Sequence, residues 1–98
     1  MLEKNVENHL KNKVKAMGGI ALKINSASMA GLPDRMVLFP ERKIFFVELK
    51  APGKKPRPLQ LSAHRILQSL GFKVYVIDSI DGVQQFLKEV IAGEVHTT

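Results

Sequence analysis

Three charged residues carry the first chemical signal: Asp34, directly after Pro33, and Glu48 with Lys50, two apart at the end of an apolar run from Ile44 to Leu49. A short turn at Pro40, Glu41 and Arg42 separates that run from an earlier one, Met36 to Phe39, and the pair reads as a β-hairpin. If the chain folds back about Glu41, residues whose numbers sum to 82 lie opposite each other, so Phe39 faces Lys43 and Asp34 faces Glu48. Opposed residues share a face. Alternation places Glu48 and Lys50 on one side of their strand and Phe45, Val47 and Leu49 on the other. Two like charges this close repel, a cost that a divalent cation between them removes. Hard oxygen donors select magnesium or manganese over zinc, which takes imidazole or thiolate. The competing reading is a loop-capping Asp34 beside an ordinary Glu48–Lys50 ion pair. An acidic residue at the exit of a strand otherwise made of Ile44, Phe45, Phe46 and Val47 breaks the hydrophobic pattern, however, and such conflicts mark functional sites.

Other chemistries have no foothold. There is no cysteine, so disulfides, thiolate metal sites and thiol nucleophiles are excluded. His9, His64 and His96 lack ligand spacing, no Ser/His/Asp or phosphate-loop arrangement occurs, and Gly18-Gly19 is too brief to cradle a phosphate. Ninety-eight residues make one domain with one modest core, residues 1–98 as a unit. No apolar run reaches the roughly 18 to 20 residues of a membrane span, and the polar opening Met1 to Asn5 has no signal-peptide character, which points to an intracellular chain.

The elements that must position the charged trio follow from periodicity. Leu2, Val6, Leu10, Val14 and Met17 predict a helix over 2–17, stopped at Gly18-Gly19. Ile20, Leu22 and Ile24 alternate with Ala21, Lys23 and Asn25 as in a half-buried strand, and a loop from Ser26 to Asp34 leads into the hairpin. A rigid connector from Ala51 to Pro58 follows. Pro58 then opens a helix whose stripe is Leu59, Ala63, Ile66, Leu67 and Leu70, ending at Gly71. Val74 to Ile77 reads as a strand buried on both faces, Val83 to Ile91 as a last helix closed by Gly93, and Glu94 to Thr98 as a loose tail. The order αβββαβα predicts an α/β fold with a mixed sheet flanked by helices.

Charge adds a partner. The net charge is +6, and no acidic residue lies between Glu48 and Asp78, where Lys50, Lys54, Lys55, Arg57, Arg65 and Lys73 cluster. The remainder has nine charges of each sign, so the whole excess sits in one segment. Such a segment is either a solvated face or the footprint of a polyanion, of which nucleic acid is the commonest.

Glu3 with Val6, Gly18-Gly19, Lys23, Gly31-x-Pro33-Asp34-Arg35, Glu48-Leu49-Lys50-Ala51-Pro52-Gly53, Gln60 and Gly71-Phe72-x-Val74 together resemble the VRR-NUC nucleases, a branch of the restriction-endonuclease-like PD-(D/E)xK superfamily. The resemblance runs from Glu3 to about Ile80, is similar in particular to minimal stand-alone phage members, and implies an αβββαβ core. It implies Asp34 and Glu48 as metal-binding carboxylates, the Leu49 main-chain carbonyl as a further oxygen ligand, Lys50 as the catalytic lysine and Gln60 as a site glutamine on the middle helix. Glu3 would complete the site, with Glu7 one turn on as the alternative. Lys23 and Arg35 are expected near phosphate, Arg35 otherwise simply neutralising Asp34, while Lys54, Lys55, Arg57 and Arg65 sit where they position DNA without transferring protons.

The expected activity is a magnesium- or manganese-dependent DNA endonuclease working as a homodimer, because one small site cuts one strand. With no recognition module, DNA shape and backbone are read over base sequence, and four-way junctions or flaps are the substrates the resemblance implies, in replication, repair or recombination. The expected setting is the cytoplasm of a bacterial or phage-infected cell. A non-catalytic DNA-binding module needs no carboxylate pair, and with one Tyr and no Trp an RNA or single-strand binder has few stacking platforms.

Overall fold

Val6, Leu10 and Val14, four residues apart, form one stripe of helix α1 (Glu3–Ala16), and all three are fully buried. They belong to a computed structural model that describes residues 3–26 and 28–96. Leu2 at the start of the expected helix, Ala27 in the expected loop and Thr97 and Thr98 in the expected tail lie outside the described residues. Strands β1 (Ile20–Lys23), β2 (Arg35–Phe39) and β3 (Lys43–Leu49), helix α2 (Pro58–Ser69), strand β4 (Lys73–Ile77) and helix α3 (Ile80–His96) follow. The four strands form one sheet in the order β1-β2-β3-β4, antiparallel except for the β3–β4 pair, which α2 connects as a parallel crossover.

The hairpin has the register that a turn about Glu41 demands: Phe39 pairs with Lys43 and Arg35 with Val47. Glu41 and Arg42 both adopt positive φ, which lets so short a loop reverse the chain. Strand parity then divides the molecule. Val37, Phe39, Val47, Leu49 and Ile77 turn to the side covered by α1 and α3, where they join Val83, Phe86, Leu87 and Val90 in one core. Phe86 anchors it, with Phe39, Phe45 and Tyr75 rings 6.5, 5.7 and 4.8 Å away.

The opposite face carries α2 alone, and four expectations change there and at the chain's end. In β1 it is Ala21 that packs on the core, while Ile20 and Leu22 are 52% and 38% exposed, so apolar alternation pointed inward on the wrong side. Helix α2 buries Ala63 and His64 and leaves Leu59 and Ile66 exposed, as is Leu70 just past its end, because it sits over a site and not over a core. Strand β4 is an edge strand with Val76 45% exposed, not a strand buried on both sides. Helix α3 starts at Ile80 and runs through Gly93, so the expected tail is helical as far as His96.

Candidate active site

Asp34 stands just before β2, and Glu48 near the end of the neighbouring β3, so the hairpin register alone brings them together. The Leu49 amide donates to Asp34 Oδ2 at 2.7 Å, and the Asp34 main-chain oxygen accepts from the Ile24 amide at 2.8 Å. The Asp34 side chain is half-buried and reaches solvent, whereas Glu48 is 1% exposed. Burial, and after it the negative charge of Asp34, pushes the Glu48 carboxyl up to about 7.

Helix α2 meets this pair with its first turn. Gln60 Oε1 accepts from Lys50 Nζ and from the Arg57 amide, both at 2.8 Å, and Gln60 Nε2 donates to Glu48 Oε2 at 3.1 Å. The contact to Arg57 is half of a capping box: the third helical residue satisfies the amide of the N-cap residue, and an arginine side chain, having no acceptor, cannot return the bond. One side chain thus caps the helix and links the lysine to the glutamate. Lys50 Nζ also lies 3.4 Å from Glu48 Oε2. The loop bearing Asp34 is docked on the same turn, since a side chain at Gly31 (φ +83°) would meet the Leu59 carbonyl oxygen at 2.7 Å.

Asp34, Glu48, Lys50 and Gln60 are therefore gathered at one end of the sheet. Among the described residues no three His, Asp or Glu side chains close into a metal cage, so Glu3, exposed on the first turn of α1, joins no such cluster with the pair. Glu7 is committed elsewhere, to Arg35. That arginine is a correction to the expected phosphate contacts. It is 6% exposed, with Nη2 at 3.3 Å from Glu7 and Nη1 donating to the Ala21 carbonyl at 3.1 Å. Asp34 and Arg35 are consecutive along a strand direction, so they face opposite sides of the sheet and cannot neutralise each other directly. Lys23, Lys54, Lys55, Arg57 and Arg65 are all exposed. The connector that carries three of them is pinned where the Gly53 amide donates to Asp78 Oδ2 at 3.0 Å.

One neighbour has no counterpart in the spacing of histidines along the chain. His64 is 5% exposed, and its Nε2 lies 3.5 Å from Glu48 Oε1. Burial, and then the Lys50 ammonium, hold its pKa below the usual histidine range, so the contact joins a neutral imidazole to the carboxyl group and is not an ion pair. The available signal was helical: Gln60 and His64 are four apart and share a face of α2.

The oxygen pair suits a hard divalent cation. Two carboxylates, one of them open to solvent, are the usual protein share of a magnesium site, whose remaining positions are water and substrate phosphate. Glu48 Oε1 is buried with no hydrogen-bond partner among the described residues, and burial with the neighbouring Asp34 raises the carboxyl even beside the Lys50 ammonium, a cost that a divalent cation between the two carboxylates would remove.

No family model matches the sequence. A curated relative from Acyrthosiphon pisum secondary endosymbiont phage 1, with the printed name "Putative nuclease p44", is 51% identical over 79 residues, covering 81% of this chain and 85% of its own. A solved structure described as a VRR_NUC domain superposes with a TM-score of 0.82 at 32% identity, covering 88% of this chain and 94% of its own. With the αβββαβ order, the hairpin register and the Pro33-Asp34, Glu48-x-Lys50 pattern already in place, the chain belongs to the VRR-NUC nuclease family.

Proposed function

We propose that this chain is a magnesium- or manganese-dependent DNA endonuclease. The observation that carries the reading is the convergence of Asp34, Glu48, Lys50 and Gln60 at one end of the β2–β3 hairpin, with Glu48 buried and tied through Gln60 to Lys50. Asp34, Glu48 and the Leu49 carbonyl would hold the cation. The chemistry a bound divalent ion supplies is polarisation of a phosphate oxygen and acidification of water. Lys50 positions or deprotonates the attacking water and offsets charge that builds in the transition state. Gln60 keeps the lysine and the glutamate in register.

The exposed cations Lys54, Lys55, Arg57 and Arg65, with Lys23 on the edge strand, support a backbone-reading DNA surface, and structure-selective cutting of flaps or four-way junctions in replication, repair or recombination fits such a surface. A homodimer is supported by Ile20, Leu22 and Ile44, exposed together on the sheet face that α2 leaves open. The working compartment proposed is the cytoplasm of a phage-infected host. No helix among the described residues is long and apolar enough to cross a membrane.

The test is incubation of pure protein with labelled linear, flapped and four-way DNA in magnesium, manganese or EDTA, with light scattering for oligomeric state. Cutting of branched DNA only with metal, lost in Asp34→Ala and Glu48→Ala while DNA binding persists, is the expected result. Binding with no cutting under any metal would make the chain a DNA-binding module instead. A monomer at assay concentration, unchanged by Leu22→Glu, would remove the dimer.

A further inference from the structure

Glu48 is approached from two sides, and only one of them is the Gln60 and Lys50 side. Its Oε2 receives Gln60 at 3.1 Å with Lys50 at 3.4 Å, while Oε1 faces His64 Nε2 at 3.5 Å. Resting on the nuclease reading above, we propose that His64 is a positioning residue for this reaction: its Nε2–H fixes Oε1 and so sets the plane in which Glu48 presents its oxygens.

Three observations support it. His64 Nε2 and Glu48 Oε1 are both buried, and neither has a hydrogen-bond partner among the described residues; 3.5 Å apart, each is the polar group the other faces. The residue is 5% exposed, which removes it from any direct contact with DNA. Its helix position is also informative. Gln60 and His64 stand one turn apart on the inward face of α2, so a single helix brings both side chains to the carboxylate. For packing alone a leucine would fill the same place without burying two polar atoms. Partners that orient a ligating carboxylate generally change affinity or activity by 10- to 100-fold when removed.

The test compares His64→Gln, whose amide nitrogen can occupy the Nε2 position, with His64→Leu and His64→Met, which keep apolar volume and have no donor. Each is measured for manganese binding by calorimetry, for kcat and KM on a flap or four-way substrate, and for thermal stability. The expected pattern is His64→Gln within about 3-fold of wild type. Both apolar variants should lose roughly 10- to 100-fold in manganese affinity and in kcat, with KM for DNA within about 2-fold and stability equal or higher. A packing role would give the reverse order, with the apolar variants near wild type and glutamine the worst. That order, or glutamine as impaired as leucine, overturns the assignment. Two apolar variants guard against one of them misfolding. The nuclease reading fails separately: wild-type protein that neither binds manganese nor cuts would remove both claims, whereas an active wild type matched by His64→Leu removes only this one.

Discussion

The two faces of the sheet are built from alternate residues of the same strands, yet they obey different rules. Toward α1 and α3, β2 and β3 offer Val37, Phe39, Val47 and Leu49, sealed at 0 to 6% exposure among apolar partners. Toward α2 they offer Asp34, Met36, Ile44, Phe46 and Glu48, where a buried carboxylate sits beside exposed isoleucine and leucine. One face is optimised for the fold; the other carries charge at a cost that the first face must offset. Arg35 supports this division, because the cation that follows Asp34 in sequence is locked by Glu7 on the α1 side and leaves the site to Lys50.

The sharpest way to break this comparison is to exchange effects between the faces. Phe86→Ala, at the centre of the aromatic cluster, should cost about 3 to 5 kcal/mol of stability and reduce activity only through unfolding. Glu48→Gln should do the opposite. It removes a desolvated carboxylate, so the melting temperature holds or rises while cleavage falls by about 1,000-fold or more. Chemical denaturation and single-turnover cleavage of both variants settle it; a Glu48→Gln protein that melts early would mean the site face also carries the fold.

Next in size is Lys50. An ion pair with Glu48 would survive Lys50→Arg with most activity, since charge is kept. A residue that positions or activates water would not, because guanidinium is bulkier, cannot act as a base at ordinary pH and would not reproduce the 2.8 Å contact to Gln60. Cleavage reduced about 100-fold or more for both Lys50→Arg and Lys50→Ala, with metal affinity retained by calorimetry, is the expected outcome. A Lys50→Arg enzyme within a few-fold of wild type would defeat the role.

What the chain disclosed in advance and what it hid divide along the same two faces. The hairpin register was legible because a three-residue turn fixes it, and with it the meeting of Asp34 and Glu48; the α1 stripe was legible because it covers a true core. Ile20, Leu22, Leu59, Ile66 and Leu70 misled, because periodicity equates apolar with inward and this face leaves apolar side chains open. Arg35 was in principle readable, since neighbours in a strand diverge, but its partner Glu7 lies 28 residues away in sequence and no local pattern joins them. His64 required knowing that α2 rests on Glu48, which is tertiary information.

Acidity gives a smaller effect that sharpens the contrast. The Glu48 carboxyl is held at about 7, chiefly by burial and then by Asp34, against an ordinary 4.5. Between those values the folded protein keeps a proton that the unfolded chain releases. The contribution is therefore full below pH 4.5 and is lost as pH rises through 7, by at most about 3 kcal/mol. His64 works in the opposite sense below 6.5, because its folded pKa is lowered, so the informative quantity is the difference between wild type and Glu48→Gln. Melting curves in EDTA from pH 4.5 to 8 should show wild type losing stability relative to Glu48→Gln across that window. Manganese should restore it more at pH 8 than at pH 5. Parallel pH profiles for the two proteins would place Glu48 in a more solvated setting.

The smallest expected effect separates two kinds of cation. Lys54, Lys55 and Arg57 are exposed on the connector, whereas Arg35 is buried against Glu7 and the Ala21 carbonyl. If the connector lies on DNA, reversing its three charges removes three phosphate contacts. Each contact accounts for about 0.9 in the slope of log affinity against log salt, so the slope should flatten by about 3. Affinity should fall for linear, flapped and four-way DNA alike, because backbone contacts carry no sequence or shape preference of their own. Arg35→Met should leave that slope unchanged and act instead on the fold, since it leaves Glu7 without its cation, a cost of about 1 to 3 kcal/mol for a pair that is only partly sealed from water. Fluorescence anisotropy over a salt series, beside denaturation of the same proteins, reads both quantities. A salt slope that drops by about 1 in Arg35→Met would return this residue to the DNA surface and erase the division between the faces.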